Sequence, residues 1–480
     1  MSFLKREGID YLSNFYRFKK YDENNYLITV EDGSFLFIHK LFFKKFRQGK
    51  IKDFNLFEKL KLNNIIIDES NFNYIVNKTT NKYSFLINGT SLHIIILTTR
   101  CNLKCSYCYA STKNMNANIE ENDLNFETSK KIVDFIFTSP SSAITIEFQG
   151  GEILANFEIV KKIVEYAKQK NKKIKKDLKF GFTSNFVLMT EKIANWFIDN
   201  DIPFCTSLDG PKNVHDQNRF MLGKKNNKIG SYDKVVYWIK RINEIYKERG
   251  MNKSVNALMT ITKYSLPYYK EIIDEYINLN IYNLSIRSMT NIGRGLNNDD
   301  LTYDINEFNK FYEKSLKYID ELNKKNKNIK IIERLKELYI TKIIKQMPGY
   351  HTEFENPCGA TTGQLLYHNN GNIYTCNEAM GHEEFKLGNV FNDNWKGLFD
   401  KKETRAAILN SMIESNFICD KCVYKPYCGT CMVENYFNLG KFNFYPTNTQ
   451  KHFTTVYQCK KIFDEILKNS LNKENNLNKN

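Results

Sequence analysis

SLHIIILTTRCNLKCSYCYA, residues 91–110, is the stretch on which the fold turns. Its first half, 91–99, is an apolar, β-branched run that reads as a buried strand. Cys101, Cys105 and Cys108 follow at once, spaced C-x3-C-x2-C on one short loop. Cysteine thiolates are the usual ligands of a [4Fe–4S] cube, and a full set is four. Three can hold three irons and leave the fourth open, which suits chemistry on a bound molecule better than simple electron transfer. The triad stands at a strand's C-terminal end, where barrel enzymes keep their sites. The plainer readings are a zinc loop or three buried thiols, but zinc sites normally take four protein ligands.

Working outward, the strand pattern recurs in AITIEFQG (143–150), KFGFTSN (179–185), PFCTSLDG (203–210), VNALMTI (255–261) and NLSIRSM (283–289). Between these lie amphipathic runs at 127–138, 156–170, 190–199, 232–247 and 267–278. Six β-α repeats imply a parallel sheet with outer helices, closed or partly closed like a barrel. Residues 1–85 differ. YLITV-EDG-SFLFI reads as a hairpin with Asp32-Gly33 in the turn, and 39–48 as a helix with Leu41, Phe42 and Phe46 on one face. Residues 330–348 read as one more amphipathic helix leading to Pro348, and the Asn- and Lys-rich tail beyond about 468 as disordered.

The chain has 480 residues, room for two or three domains. No stretch approaches the ~18–20 apolar residues of a membrane span, and Met1–Asp10 lacks a signal-peptide core. A cytoplasmic protein without a membrane partner is the expectation. Eleven cysteines then argue for metal ligation, since disulfides are rare in reducing compartments. Ten of them fall in two motif groups; Cys205, in PFCTSL, reads as a core thiol. The formal charge of +16 comes with lysine spread throughout and no dense basic run, so no nucleic-acid partner is expected.

Gly150-Gly151-Glu152 follows the second strand; the glycines allow close backbone approach to a ligand and the carboxylate can accept from an ammonium. Ser184 and Asn185 end the third strand, and Ser207 and Asp209 the fourth. Arg219 can pair with a carboxylate, whereas Pro211, His215 and Asp216 read as turn and helix-start structure. The second cysteine group runs C-x12-G-x4-C through Cys358, Gly371 and Cys376, then C-x2-C-x5-C-x2-C through Cys419, Cys422, Cys428 and Cys431, with Cys459 later. In isolation the paired C-x2-C steps also suit one zinc.

Taken together the chain resembles the radical S-adenosylmethionine (SAM) superfamily over roughly 90–462. Its motif is the triad's spacing followed by an aromatic, here Tyr109. The resemblance implies that SAM binds the open iron held by Cys101, Cys105 and Cys108, and that one-electron reduction yields a 5′-deoxyadenosyl radical. It implies that Gly150, Gly151 and Glu152 bind SAM's amino group, with Ser184, Asn185, Ser207, Asp209 and Arg219 as further SAM contacts. The seven-cysteine pattern is similar to the SPASM extension, which holds two auxiliary [4Fe–4S] clusters. By that likeness Cys419, Cys422, Cys428 and Cys459 ligate one cluster, and Cys358, Cys376 and Cys431 the other. The last step is C-x2-C where C-x3-C is commoner. Seven thiolates also leave one of eight iron positions open, or filled from outside the motif.

The implied fold class is α/β: a radical SAM partial (β/α)6 barrel with an N-terminal α+β peptide-recognition-like module and a C-terminal SPASM iron–sulfur domain. The expected divisions are 1–85 for the module, 90–330 for the barrel, 331–355 for a linker helix, 356–465 for the SPASM domain and 466–480 for the tail. FYRFKKYDENNYLITVEDGSFLFI, IEFQGGE and YKPYCGTCMVENY are closest in appearance to the maturases of His-Xaa-Ser peptide systems. The implied function is radical modification of a ribosomal precursor peptide, installing a thioether, C–C or C–O crosslink. Residues 1–85 would bind the leader, and a flavodoxin- or ferredoxin-type protein would be the reductant. The alternatives are a sulfatase-type maturase oxidising a protein Cys or Ser, and a catalytically silent leader-binding partner.

Overall fold

The structure is a computed structural model and describes residues 11–347, 352–442 and 449–477; Met1–Asp10, Pro348 and the last three residues of the tail lie outside these. The described chain opens with an antiparallel sheet of β1 (Tyr16–Lys20), β2 (Asn25–Val30) and β3 (Phe35–His39), in that order. The tight turn between β2 and β3 needs Gly33, whose φ is 90°. Three helices follow, α1 (Lys40–Arg47), α2 (Phe54–Leu62) and α3 (Phe72–Tyr83). Period-two alternation divides the strands: Ile28, Val30, Leu36 and Ile38 face the module's own helices, while Leu27, Phe35 and Phe37 face the C-terminal region. One expectation is corrected here. α1 buries Phe43 and Phe46, not Leu41 and Phe42, because the sheet beneath sets the helix phase; Leu41 is 62% exposed.

The barrel strands are β4 (Leu92–Ile96), β5 (Ala143–Gln149), β6 (Asp177–Phe182), β7 (Cys205–Ser207), β8 (Asn256–Ile261) and β9 (Ile286–Ser288). They run parallel in chain order, with β6 joined to β7 through one bridge, Ser184 to Thr206. Helices α4 (Phe126–Ile136), α5 (Phe157–Ile174), α6 (Glu191–Asp199), α7 (Tyr232–Glu248) and α8 (Tyr269–Asn278) cover the outer face. A longer helix, α9 (Ile305–Lys325), was not read from the sequence, although the capping box of Asp304 and Glu307 marks its start.

The barrel stays open. The free edge of β4 is taken by β10 (Gln364–Tyr367), parallel and in register from Leu92 opposite Gln364 to Ile95 opposite Tyr367. β11 (Asn372–Tyr374) and β12 (Lys386–Asn389) then extend the sheet antiparallel. β4 is therefore buried on both faces: Ile95 and Leu97 lie in the helix-layer core, Ile94 and Ile96 in a second core with Tyr374, Cys358 and Cys376. This explains its unbroken apolar run. After α10 (Arg334–Ile343) and α11 (Met432–Leu439), helix α12 spans Gln450–Leu477. The expected disorder beyond 468 is thus overturned as far as Leu477; the helix is anchored where Cys459, Ile462 and Phe463 are buried.

Candidate functional site

The cysteine loop is braced from three sides. Arg100, 6% exposed, pairs with Asp123 and donates to Met115 O, pinning the far end of the loop. Lys104 N and Ser106 N donate to Phe220 O (2.8 Å) and Asn218 O (2.9 Å). From the end of β9, Arg294 N donates to Cys108 O (2.9 Å) and its Nη1 to Cys105 O (2.8 Å). A Cβ on Gly293 would lie 2.6 Å from the carbonyls of Cys108 and Tyr109, so only glycine fits. Gly293 and Arg294 were missed in the sequence; the only signal is the short GRG run.

Cys101, Cys105 and Cys108 share one small cluster with Leu103, Val187 and Met221. Burial pushes the Cys105 thiol up to about 11, against the pull of Arg219 and Arg294, and also raises Cys101. Metal binding needs the thiolate, so nearby guanidinium groups favour the ligating form.

Gly150 and Gly151 serve close packing against the loop's own backbone. A Cβ on Gly150 would fall 2.4 Å from Thr98 O, and one on Gly151 2.2 Å from Arg100 O. Gly151 N and Glu152 N donate to those same carbonyls at 2.8 and 2.9 Å. Glu152 is buried and accepts from Ser184 Oγ (2.6 Å), Asn185 N (2.9 Å) and Leu154 N (3.0 Å), while burial raises its carboxyl. Asn185 Nδ2 donates to Asn102 Oδ1 (2.8 Å), which brings Glu152, Ser184 and Asn185 beside the triad. Ser207 closes β7 and is half-buried.

Asp209 is fully buried and accepts from Tyr107 Oη (2.8 and 2.9 Å), Asn218 Nδ2 (3.2 Å) and Thr260 N (3.2 Å). Tyr107 in turn accepts from Arg219 Nη1 at 2.6 Å. Tyr107, inside the triad, was missed; Tyr109 instead donates to Gln149 Oε1 (3.3 Å) and lies near Asn377 and Glu378. Pro211 caps a short helix, His215 bonds Asp209 N and Ser231, and Asp216 accepts from Tyr232 N, as structural residues would. Two buried donors beside the triad have no partner among the described residues, Asn102 Nδ2 and Arg219 Nε. Three reduced thiols on one wall with two unfilled donors next to them fit a cube carrying an anionic ligand.

The seven later cysteines form two sets. Cys358, Cys376 and Cys431 are electrostatic neighbours in one apolar cluster, on which Cys108 and Tyr109 also pack. Cys419, Cys422, Cys428 and Cys459 neighbour one another beneath the N-terminal sheet. Lys451 lies by the first set and Lys342 by the second. Among the described residues no three such side chains converge as they would round a single ion. Sulfurs on one zinc sit roughly 4 Å apart, given bonds of about 2.3 Å, whereas a cube carries each on a separate iron. Cys205 is not in the apolar core as expected; it is half-buried near Glu147, Arg287 and Thr183.

A cavity of about 210 Å³ opens between the two regions. It runs from Arg287 and Met289 past Phe308 and Tyr339 to Glu378 and Lys451. That is smaller than the roughly 300–1,000 Å³ of small-molecule clefts, and suits a single large side chain.

Residues 95–275 match the model of the Radical SAM superfamily. The chain has the radical SAM α/β fold. Among particular proteins it is similar to the cysteine-type anaerobic sulfatase-maturating enzyme of Clostridium perfringens, 25% identical over 345 residues, covering 69% of this chain and 85% of that one. The solved structure of native anSMEcpe with bound AdoMet superposes with a TM-score of 0.63 at 20% identity, covering 80% of this chain and 99% of that one. SuiB of Streptococcus suis bound to precursor peptide SuiA gives 0.55 at 15% identity, covering 92% and 100%. Among the described residues no helix is long and apolar enough to cross a membrane.

Proposed function

We propose that the chain is a maturase that modifies a ribosomally made precursor peptide and installs a thioether, C–C or C–O crosslink, with likeness to the His-Xaa-Ser branch. The observation that carries this is the shared wall: Cys108 and Tyr109 pack on the cluster that holds Cys358, Cys376 and Cys431, and the cavity ends beside it. A substrate side chain seated there lies beside Glu378 and Lys451, which are electrostatic neighbours of the Cys358 set. In this reading Cys101, Cys105 and Cys108 hold the SAM-binding [4Fe–4S] cube. Cys358, Cys376 and Cys431 hold one auxiliary cube, and Cys419, Cys422, Cys428 and Cys459 the other. When bound, SAM and the reduced cube supply hydrogen-atom abstraction, and the auxiliary cubes supply an electron acceptor.

The protein's own work is orientation and exclusion of water. Gly150, Gly151, Gly293 and Arg294 fix the loop, Asn102 and Arg219 offer free donors to SAM, and Phe308, Leu338 and Tyr339 give the cavity an apolar wall beside the charged Arg287, Glu378 and Lys451. Residues 1–85 act as the leader clamp by strand addition, 90–330 as the barrel and 356–465 as the auxiliary domain. Support for the clamp is a sheet whose outer strands β1 and β3 each have a partner on one side only among the described residues. The SuiB likeness, which extends over most of the chain, supports it too. A flavodoxin- or ferredoxin-type reductant and a reducing cytoplasm complete the reading, the latter supported by eleven free cysteines.

A sulfatase-type maturase is the second reading, favoured by the Clostridium perfringens relative. Mass spectrometry of a candidate peptide encoded beside this chain, after anaerobic incubation with reconstituted enzyme, SAM and strong reductant, decides between them. Loss of two hydrogens with 5′-deoxyadenosine release supports a maturase, and fragmentation distinguishes a crosslink from an oxidised Cys or Ser. Unchanged product formation after Cys101, Cys105 and Cys108 are all replaced by alanine would sink the catalytic reading in favour of a silent partner.

A further inference from the structure

Among the described residues the Arg219 side chain is hydrogen-bonded from one side only. The backbone ladder that joins Lys104 to Phe220 and Ser106 to Asn218 leaves Arg219 between its two rungs, next to the triad. Its Nη1 donates to Tyr107 Oη at 2.6 Å, and its Cζ lies 5.8 Å from the Tyr107 ring centroid. Its Nε is buried and has no partner among the described residues. The Tyr107 hydroxyl has one proton, and both oxygens of Asp209 lie within 2.9 Å to accept it. That fixes the phenol's direction: it donates to Asp209 and accepts from Arg219.

Asp209 does not need this phenol for satisfaction alone, since Asn218 Nδ2 and Thr260 N also donate to it. The added link has a different consequence. A carboxylate behind a phenol makes the phenol oxygen a stronger acceptor, so the buried charge of Asp209 reaches Arg219 through Tyr107. One guanidinium nitrogen is thereby tied down while Nε remains free, a fixed arm with an unfilled donor. Arginine suits an oxyanion better than lysine does because its planar fork presents donors in a set direction.

We propose that Tyr107, anchored by Asp209, is a positioning residue that aims Arg219 at the carboxylate of SAM. The inference rests on the radical SAM reading of the triad and names what sets the direction of its anionic contact. Tyr107 then acts through its hydroxyl on the aminocarboxylate end of the ligand.

The test is anaerobic equilibrium binding to the reconstituted protein, with iron content matched between variants by absorbance and iron assay. Two ligands are compared, SAM and 5′-methylthioadenosine, which keeps the adenosine and thioether but lacks the aminocarboxylate. Tyr107→Phe is expected to weaken SAM about tenfold, the scale of one charge-assisted hydrogen bond, and to leave 5′-methylthioadenosine unchanged. Arg219→Gln is expected to weaken SAM at least as much. The double variant should then be no weaker than Arg219→Gln alone, because the phenol has nothing left to position. Unchanged SAM affinity in Tyr107→Phe, additive losses in the double variant, or equal weakening of both ligands would each overturn the proposal. Failure of the wild-type protein to bind SAM would instead remove the reading beneath it.

Discussion

Gly151 shows how narrow the tolerance of the triad's support is. Its missing Cβ leaves room for Arg100 O, which a side chain would meet at 2.2 Å. Backbone on both sides cannot yield as a flexible side chain can, so Gly151→Ala is expected to exceed the roughly 1–3 kcal/mol of ordinary overpacking. The measurement is iron content with thermal denaturation; iron bound by the triad should be lost. Arg294→Ala should weaken the same loop more gently, by about 1–3 kcal/mol for the lost side-chain bonds to Cys105 O and Thr112 Oγ1, read as a lower melting temperature. At this scale the sequence was legible where chemistry is tied to spacing, as with the cysteines. It was not legible where a residue's meaning lies in a distant partner. Arg294 bonds Cys105 across 189 positions, and nothing near 294 announces it. The adjacent aromatics Tyr107 and Tyr109 differ only in the neighbours that the fold provides, so their roles could not be told apart beforehand.

The join between β4 and β10 is the element on which the open barrel depends. It is locked by His93, whose ring accepts from Tyr367 Oη (2.9 Å) on one nitrogen and donates to Thr90 O (3.1 Å) on the other. Burial holds this imidazole down at about 3, far below its usual range. A group depressed in the folded state is neutral there while the unfolded chain takes up a proton. Its stabilising effect is therefore complete above about pH 6.5 and is lost progressively as pH falls towards 3. One such proton tilts stability by about 1.4 kcal/mol per pH unit. Replacing His93 by Gln should flatten that slope in denaturant melts between pH 6 and 4; an unchanged slope would mean another group carries it. The barrel strands were readable because each is a short apolar run before a polar loop. The β4–β10 pairing was not, because QLLY at 364–367 carries no mark of a partner 272 positions earlier. The phase of α1 failed for a related reason: three phenylalanines offer more than one apolar face, and only the sheet beneath selects it.

At the scale of the whole molecule the N-terminal module and the cysteine-rich region at 419–463 are packed together. Thr29 Oγ1 donates to Val423 O (2.9 Å), Tyr427 Oη to Gly33 O (2.9 Å), and Arg17 Nε to Asp420 O (2.6 Å). Glu31 sits among Arg17, Lys82 and Lys425, with Arg17 and Lys425 almost fully buried. Burial pushes the Glu31 carboxyl up, but Lys82, Tyr83 and Lys425 outweigh it and hold it at about 2. Its stabilising effect is present above about pH 4.5 and is lost as pH falls towards 2. Glu31→Gln is expected to cost about 3 kcal/mol at neutral pH by leaving buried cations uncompensated, a penalty that should shrink in acid. Truncation of residues 1–85 would uncover Tyr424, Tyr427 and Phe463, which Leu27 and Phe35 now cover. The truncated chain is expected to self-associate and, if the Cys419 set holds the cluster proposed for it, to lose that iron, seen by sedimentation and iron assay.

The covering of Cys459 has a consequence for biogenesis. This thiol is 0% exposed, and Leu27 lies in the cluster above it. If the Cys419 set holds the cluster proposed for it, this cover of Leu, Tyr and Phe side chains would have to stand aside while the cluster enters, and the docking of strand β2 over Val423, Tyr424 and Phe463 would be a late step of assembly.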